Sequence, residues 1–547
     1  MPLRISNLRL PVEEPEANLP SHIARAIGVT HGDLAHWRIL RKSLDLRDKR
    51  QLRFVYNFEV DLPQQELEVV YRTIDRAAPT AQVELFDEPP FEMASPGTEA
   101  IRDRPIVIGS GPGGLVCAYF LAQLGYRPIV LERGTQVSDR IRDVKRFDGG
   151  GGFEPESNYL FGEGGAGTFS DGKLTCRGSG PDVMRVLELF AECKGQQPGK
   201  PSILYYHRPH LGSNRLPAVV KSIRQKIVAM GGEVRFHTKV EDIEFDAGGV
   251  KGVRTSSGFL ASSVVILAVG HSARDTFAML AARKVPMSRK AFQFGVRVEH
   301  PQALVNEVQY GSRHASHENA LGNADYSLVA SGKNGTPDVF SFCMCAGGMV
   351  IPSVSQTGYF CTNGMSLSKR DSVYANSGLV VTVPVEAFGG TDVLAGVRLQ
   401  EKYEKRAYEL GRGGYGSPLQ TARDFLADRG ATAVPRSSYP REGVAADLRE
   451  VLPPVVVEAL KNGLPQMDRR WQGRFLDDAV LAGPESRGSS PIRIDRDNLT
   501  RESPGISGFY PVGEGAGYAG GIVSAAVDGL RTARAIVARF APLHKPV

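Results

Sequence analysis

Little in the chain points toward export or a membrane. Six cysteines, Cys117, Cys176, Cys193, Cys343, Cys345 and Cys361, are scattered over 547 residues. That is too sparse for a disulfide framework, and a cytoplasmic chain would keep them as thiols. No run of about eighteen apolar residues occurs, which argues against a spanning helix. The opening MPLRISNLRLPVEEPEANLP lacks the apolar core of a secretory signal and turns acidic almost at once, so the cytoplasm is the expected location. A strong charge of one sign is missing too. The formal balance is +6, from 66 basic and 60 acidic residues, a weak pull toward nucleic acid or a membrane surface. No Ser-His-Asp arrangement or paired-carboxylate pattern stands out, so catalytic residues stay unassigned. His207 and His210, in YYHRPHLGSNRL, lack the helix and further ligands of a metal site, and no metal is expected. Arg208 between them could offer an anionic substrate two donors.

What is present reads as an ordinary globular protein, 41% apolar and 23% charged. Its length suits about three or four domains. The most informative stretch is RPIVIGSGPGGLVCAYFLAQLGYRPIVLERG, residues 104–134: strand, glycine turn, helix, strand and acid in order. Ile106 to Ile108 form the short apolar run of a buried parallel strand. Gly109, Gly111 and Gly114 satisfy G-x-G-x-x-G, for a tight turn, close approach to a pyrophosphate, and close helix packing. The helix would aim its amino end at that pyrophosphate. Glu132, ending the second strand, is placed to accept hydrogen bonds from an adenosine ribose and to repel a 2′-phosphate. The candidates here are Gly109, Gly111, Pro112, Gly113, Gly114, Glu132 and Arg133. NAD and FAD suit this half of the site equally.

Three later segments favour FAD. In NYLFGEGGAGTFSDGKLT, residues 158–175, the crowded glycines suit a backbone lying against a flat or anionic ligand, with Gly165, Ala166, Gly167, Thr168, Ser170 and Asp171 as candidates. The strands EVRFHTKVEDIEF, containing Val240, and GVKGVRTSSGFLASSVVILAVGH read as a return to the adenosine side followed by a β-meander. That meander rejoins the sheet at Val264–Val269, where Gly270 lets the backbone pass close to a nucleotide. Near the tail, GFYPVGEGAGYAGGIVSAAVDGLRTARAIVARF runs a strand into Gly513-Glu514, and Gly521 and Ile522 open a long helix aimed at the same cleft. Its dipole would stabilise a reduced, negatively charged flavin by roughly 0.3 to 2 kcal/mol.

The expected fold is α/β: a Rossmann-like FAD-binding domain with a parallel sheet and β-meander, an inserted mixed or antiparallel substrate domain, and a small N-terminal α+β domain. The boundaries are 1–95, 99–275, 276–480 and a C-terminal return at 481–547. In the first unit a helical region spans His22 to Leu40, then come strands in QLRFVYNFEVDL and VELFDEP. WRILRKSLDLRDKRQLR carries seven basic side chains between Arg38 and Arg53 against two acidic ones. It reads as a solvated helix and turn, with a phosphate-binding face as the alternative. In the inserted unit the strand candidates are FQFGVRVEH, YSLVASG, DVFSFCMCAGG and GLVVTVPV. There Cys343 and Cys345 could act as a dithiol, but their apolar neighbours favour a buried strand in which both share one face. His271 is a candidate proton donor, and Arg487, Ser489 and Ser490 are candidates to lie beside the flavin. With no second G-x-G-x-x-G in context, NAD(P)H would dock only transiently.

These motifs resemble the glutathione-reductase-like flavoproteins with two dinucleotide-binding domains, and within them the uncharacterised bacterial FAD-dependent dehydrogenases. The resemblance is carried by GSGPGG with Glu132, FGEGGAGTFSDGKL, AFQFGVRVEHPQ, SFCMCAGGMV, TNGMS, RDSVYANSG, ESRGSSPIRI and YPVGEGAGYAGGI. It implies an FAD-dependent oxidoreductase acting on a small molecule. Gly109, Gly111, Gly114 and Glu132 would hold the ADP half, with Gly513 and Glu514 on the ribityl side, where relatives usually carry Asp. The alternative is a flavin-containing RNA-associated or tRNA-modifying protein using the basic N-terminal unit.

Overall fold

The computed structural model describes residues 2–63, 66–74, 81–176, 178–196, 202–311, 321–333 and 335–543. The first unit is a four-stranded antiparallel sheet of β1 (Leu3–Pro11), β2 (His36–Asp45), β3 (Arg53–Asp61) and β4 (Gln82–Leu85), in the order β2-β3-β1-β4. Helices Leu19–Ile27 and Glu66–Ile74 make the two crossovers, a split β-α-β arrangement repeated twice. Strand β3 alternates in burial, with Phe54, Tyr56, Phe58 and Val60 inward, as a one-sided sheet requires.

The basic stretch is not the helix and turn that its charge suggested. It is β2 and the turn after it, and the expected helix stops at Ile27. Charge density masked the strand: Arg38 and Arg41 stand exposed on it, while Lys42 is buried with its ammonium over the Phe54 and Tyr56 rings. Lys42 N donates to Tyr205 O at 2.8 Å and His207 N to Lys42 O at 3.0 Å, so the edge of β2 is covered by a later loop. Among the described residues, six of the seven cations find partners: Arg38 with Glu59, Lys42 with Glu16, Arg47 with Asp45, Lys49 with Val308 O, Arg50 with Asp48 and Arg53 with Gln51.

The central unit is a five-stranded parallel sheet of β5 (Ile106–Ile108), β6 (Ile129–Leu131), β7 (Glu233–Arg235), β11 (Val265–Leu267) and β23 (Phe509–Pro511), ordered β23-β11-β5-β6-β7. The antiparallel meander β8 (Val240–Asp246), β9 (Gly249–Thr255) and β10 (Gly258–Ala261) covers one face. Helices Pro112–Gln123, Pro181–Phe190, Leu216–Ala229 and Ile522–Arg539 cover the other. An added Cβ at Gly529 would lie 2.1 Å from Gly113 O; only two glycines allow the first and last of these helices to cross so closely. That crossing joins the early and late parts of the chain.

Strand β12 (Met287–Arg289) leaves this unit and β22 (Ile492–Ile494) returns to it, the two paired antiparallel. Between them is a seven-stranded mixed sheet ordered β14-β15-β18-β13-β21-β19-β20. Its members are β13 (Phe292–Pro301), β14 (Val329–Ala330), β15 (Val339–Cys345), β18 (Tyr374–Val383), β19 (Ser417–Thr421), β20 (Gly443–Ala445) and β21 (Val480–Glu485); β16 (Gly348–Pro352) and β17 (Thr362–Ser366) form a separate hairpin. Because β21 pairs with β13, and helix Arg274–Ala282 buries Phe277 and Leu280 against the meander, the crossings fall nearer 290 and 490 than 276 and 480. Among the described residues no helix is long and apolar enough to cross a membrane.

Candidate functional site

One cleft runs between the carboxyl ends of the parallel strands and the second sheet, the place where open α/β sheets take their ligands. Gly109, Gly111, Pro112, Gly113, Glu132 and Arg133 line it, as do Gly165, Ala166, Gly167, Ser170, Asp171, Val240 and Gly270; from the tail come Gly513, Glu514, Gly521 and Ile522. The two remote stretches therefore share a single crevice. Gly114 and Thr168 are not on its surface. A Cβ at Gly114 would lie 2.0 Å from Gly109 O, so that glycine serves packing; the Thr168 hydroxyl is buried and donates to Glu163 O at 3.3 Å.

Gly109 has φ +99, a left-handed conformation that only glycine adopts cheaply,. By contrast a Cβ on Gly111, Gly270 or Gly520 would meet nothing within 4 Å; on these cleft-lining residues it would occupy the open channel itself. Two helices begin at this channel, Pro112–Gln123 with Gly111 as its cap and Ile522–Arg539 with Gly521 as its cap. Their free N–H groups and positive ends face one volume, a donor set suited to an anionic dinucleotide.

Glu132 is buried, and its carboxylate is more fully engaged than ribose binding alone would require. Oε2 accepts from Ser110 N at 3.1 Å and Ser110 Oγ at 2.5 Å; Oε1 accepts from Gly134 N at 2.9 Å and Gly162 N at 3.2 Å. Three of these donors are backbone and fixed, and only the Ser110 hydroxyl can rotate away. Arg140, wholly buried, holds the glycine-rich loop by donating to Asn158 O, Gly162 O, Glu163 O and Gly165 O at 2.8 to 3.2 Å. Burial lowers its pKa to about 9. At the tail, Gly513 N donates to Asp528 at 2.7 Å. Burial opposes the charge of Asp528, yet Arg496 and Arg501 hold its pKa below the usual range. Glu514 lies 3.2 Å from His271 Nδ1, and both line the cleft.

The second unit supplies the facing wall: Phe342, Cys343, Ser353, Asn363, Gly364, Arg487 and Gly488. Arg487 is buried and fixed by Glu404, its Nε donating at 3.1 Å and NH2 at 2.7 Å, while NH1 donates to Ser272 and Ser355. Arg274 grips the same carboxylate at 2.7 and 2.9 Å. Although burial disfavours its charge, Glu404 is held at a pKa of about 2 by the two guanidiniums. Ser489 and Ser490 do not reach the cleft: Ser489 Oγ accepts from Gln293 N and Ser490 Oγ donates to Ile492 O.

The two cysteines do not share a face. Phe342 pairs with Gly378 but Cys345 with Asn376, so β15 carries one extra residue, a bulge that breaks the period of two,. Cys343, at φ +43, faces the cleft while Cys345 is fully buried. The enclosing walls still push the Cys343 thiol up to about 11. Arg208 pairs with Asp325 and is not on the cleft. His210 hydrogen-bonds Ser366 Oγ at 2.9 Å, and among the described residues no group of three or more His, Cys, Asp and Glu could hold a metal ion. Lys173, Lys239 and Asn363 also line the cleft and were not foreseen as site residues, although Lys173 directly follows Asp171-Gly172 and Asn363 lies in TNGMS.

The cleft lies between a parallel sheet, a second sheet and a tail helix, and comparison with known proteins gives the class, a flavoprotein oxidoreductase. Residues 107–168 match the NAD(P)-binding Rossmann-like domain, 169–323 the FAD dependent oxidoreductase family and 291–488 the C-terminal domain-like region of FAD-dependent protein. Residues 2–61 match a domain of unknown function. An uncharacterised protein of Clostridium beijerinckii is 39% identical over 543 residues, 99% of each chain. The chain belongs to the same family as that protein, and it is an FAD-dependent oxidoreductase. Solved structures are more distant. A glycine oxidase of Bacillus cereus is 13% identical over 80% of this chain and 95% of that chain, with a TM-score of 0.33. A geranylgeranyl bacteriochlorophyll reductase-like protein of Thermoplasma acidophilum is 12% identical over 80% and 78%, with a TM-score of 0.36. Likeness of that degree adds no argument about substrate.

Proposed function

We propose that FAD lies along this cleft and that the chain carries a hydride between two small molecules in two half-reactions. Glu132 would take the adenosine ribose by exchanging the rotatable Ser110 hydroxyl for a ribose hydroxyl, leaving its three backbone donors in place. Gly111 and the amino end of helix Pro112–Gln123 would take the diphosphate. Gly513, Glu514 and the amino end of helix Ile522–Arg539 would face the ribityl and ring, with the positive helix end favouring negative charge by roughly 0.3 to 2 kcal/mol. When bound, the flavin supplies the hydride acceptor at N5, and the protein supplies position, electrostatics and exclusion of water. Glu514 lies beside His271 at the cleft surface and would orient its imidazole toward a bound molecule. The kinship we propose with the glutathione-reductase-like class is confined to the parallel sheet and its meander. NAD(P)H would dock transiently in a cytoplasmic setting, since among the described residues there is only one parallel sheet of this kind.

The observation that carries the reading is that Glu132 and the Gly513–Gly521 region line one cleft. It is tested by purifying the chain from a flavin-replete host. The expected result is visible flavin absorbance, release of one equivalent of FAD on denaturation, and bleaching by NADH or NADPH under anaerobic mixing. Colourless, FAD-free protein would overturn the placement. Bound FAD that neither nucleotide bleaches would overturn the nicotinamide donor alone.

A further inference from the structure

One arginine behind the second wall of the cleft is committed to geometry. Arg297, on the central strand β13, is wholly buried, and its guanidinium is divided among four neighbours. Nε lies 2.7 Å from Glu485 Oε2, and NH2 donates to Glu485 Oε1 at 2.9 Å. NH2 also donates to Asn363 Oδ1 at 2.8 Å, and NH1 to Cys343 O at 2.9 Å and Asn376 Oδ1 at 3.3 Å. These neighbours belong to β21, β17, β15 and β18, and two of them, Asn363 and Cys343, line the cleft. Two glycines make room for the pair: a Cβ on Gly364 would lie 2.1 Å from Asn376 Oδ1 and 2.9 Å from Arg297 NH1, and one on Gly378 would lie 3.0 Å from Glu485 Oε1. A buried ion pair adds little net stability over apolar residues of the same volume, whereas the rigid fork of an arginine fixes direction.

Asn363 receives that direction. Its Oδ1 also accepts from Gly364 N at 2.7 Å, so both lone pairs face donors, and an inverted amide would point N–H groups at a guanidinium. Nδ2 donates to no described residue and is the group Asn363 has left for the cleft. The same strand places it along the channel. Three residues on, Ser366 Oγ donates to Asp171 at 2.6 Å, and the segment before Asp171 abuts the tail helix, where a Cβ on Gly167 would lie 3.1 Å from Ile522 Cγ1. Asn363 thus belongs to the Ile522 end of the cleft, the end assigned to the flavin ring. Beside it, the carbonyl of Cys343 takes a second donor, Cys345 Sγ at 3.1 Å, so the left-handed backbone at φ +43 is held from two sides,.

We infer that Arg297 is a positioning residue for the flavin reaction, fixing Asn363 so that Nδ2 donates to an acceptor of the flavin ring, an inference that rests on FAD occupying the cleft. A donor there binds the electron-rich reduced ring more tightly than the oxidised one, so its loss disfavours reduction. The test is a reductive titration of the purified holoprotein against a reference dye, with the visible flavin spectrum recorded, for the parent, Asn363→Ala, Arg297→Lys and the double variant. Asn363→Ala is expected to shift the visible bands and to make reduction about two- to tenfold less favourable, the loss of one hydrogen bond. Arg297→Lys keeps the charge beside Glu485 but not the fork, and should do the same. The double variant should go no further than Asn363→Ala, because both changes act through one amide. Should Arg297→Lys not fold, Arg297→Met with Glu485→Met, which removes both buried charges together, takes its place. A flavin equilibrium unmoved by Asn363→Ala, additive effects in the double variant, or an Arg297→Lys protein that melts earlier with parental flavin behaviour would overturn the inference. Protein carrying no flavin would overturn the cofactor placement and the inference together, whereas bound flavin that these variants leave unchanged overturns the inference alone.

Discussion

At Gly111 and Gly114, three residues apart in one turn, the same added methyl group has opposite destinations. On Gly111 it enters the open cleft; on Gly114 it strikes a backbone carbonyl at 2.0 Å. Gly111→Ala is therefore expected to fold with an unchanged melting temperature in the flavin-free state and to lose most bound FAD. Gly114→Ala should lower stability itself, by about 1 to 3 kcal/mol as an overpacked core does. Denaturant melts of the flavin-free proteins, with FAD content measured in parallel, separate the two. The turn was legible in the sequence because its chemistry is local: one glycine for φ, one for ligand approach, one for packing. Lys173 and Asn363 were not, since nothing nearby in the chain says which side chain a loop or a paired strand will present to a cleft built from other elements. Asn363 depends on contacts with Arg297, 66 residues away in sequence.

Periodicity located the elements more reliably than it located their faces. The parallel strands, the meander and the tail helix follow from short apolar runs and glycine turns, and the strand candidates of the second sheet coincide with β13, β14, β15 and β18. β1 and β2 were missed because bulges in their pairing with β3 interrupt the alternation. In β15 the bulge has a chemical outcome. A native thiol titration should find Cys343 reactive from the cleft and Cys345 protected, with no disulfide between them. With its pKa near 11, the Cys343 thiolate fraction should rise about tenfold for each pH unit from 7 to 10. Cys343→Ser should remove that phase, and saturating FAD should slow it if the flavin passes this wall. A pH-independent rate, or equal reactivity of Cys345, would contradict the geometry.

Across the molecule, Glu404 connects units that the sequence reading treated separately. Its carboxylate holds Arg274, on the helix packed against the meander, and Arg487, on the return toward the parallel sheet. Replacing it by Gln leaves two guanidiniums buried around a neutral group. Glu404→Gln is expected to cost about 3 to 5 kcal/mol near neutral pH. The sign with pH follows from its lowered pKa: the stabilisation is present above the ordinary carboxyl range and is lost as pH falls toward about 2,. The difference between the two proteins should therefore narrow on acidification, read by urea melts at pH 7, 4 and 3. A deficit that does not change with pH would mean that lost packing, not the charge, is responsible.

The pairing of β23, residues 509–511, with β11, and of β11 with β5, residues 106–108, sets a timetable for biosynthesis. A ribosome delivers the dinucleotide turn long before the helix Ile522–Arg539 that closes over it. Cofactor capture is then a late event, and a nascent chain arrested before Ile522 should emerge fully translated up to that point yet unable to retain flavin.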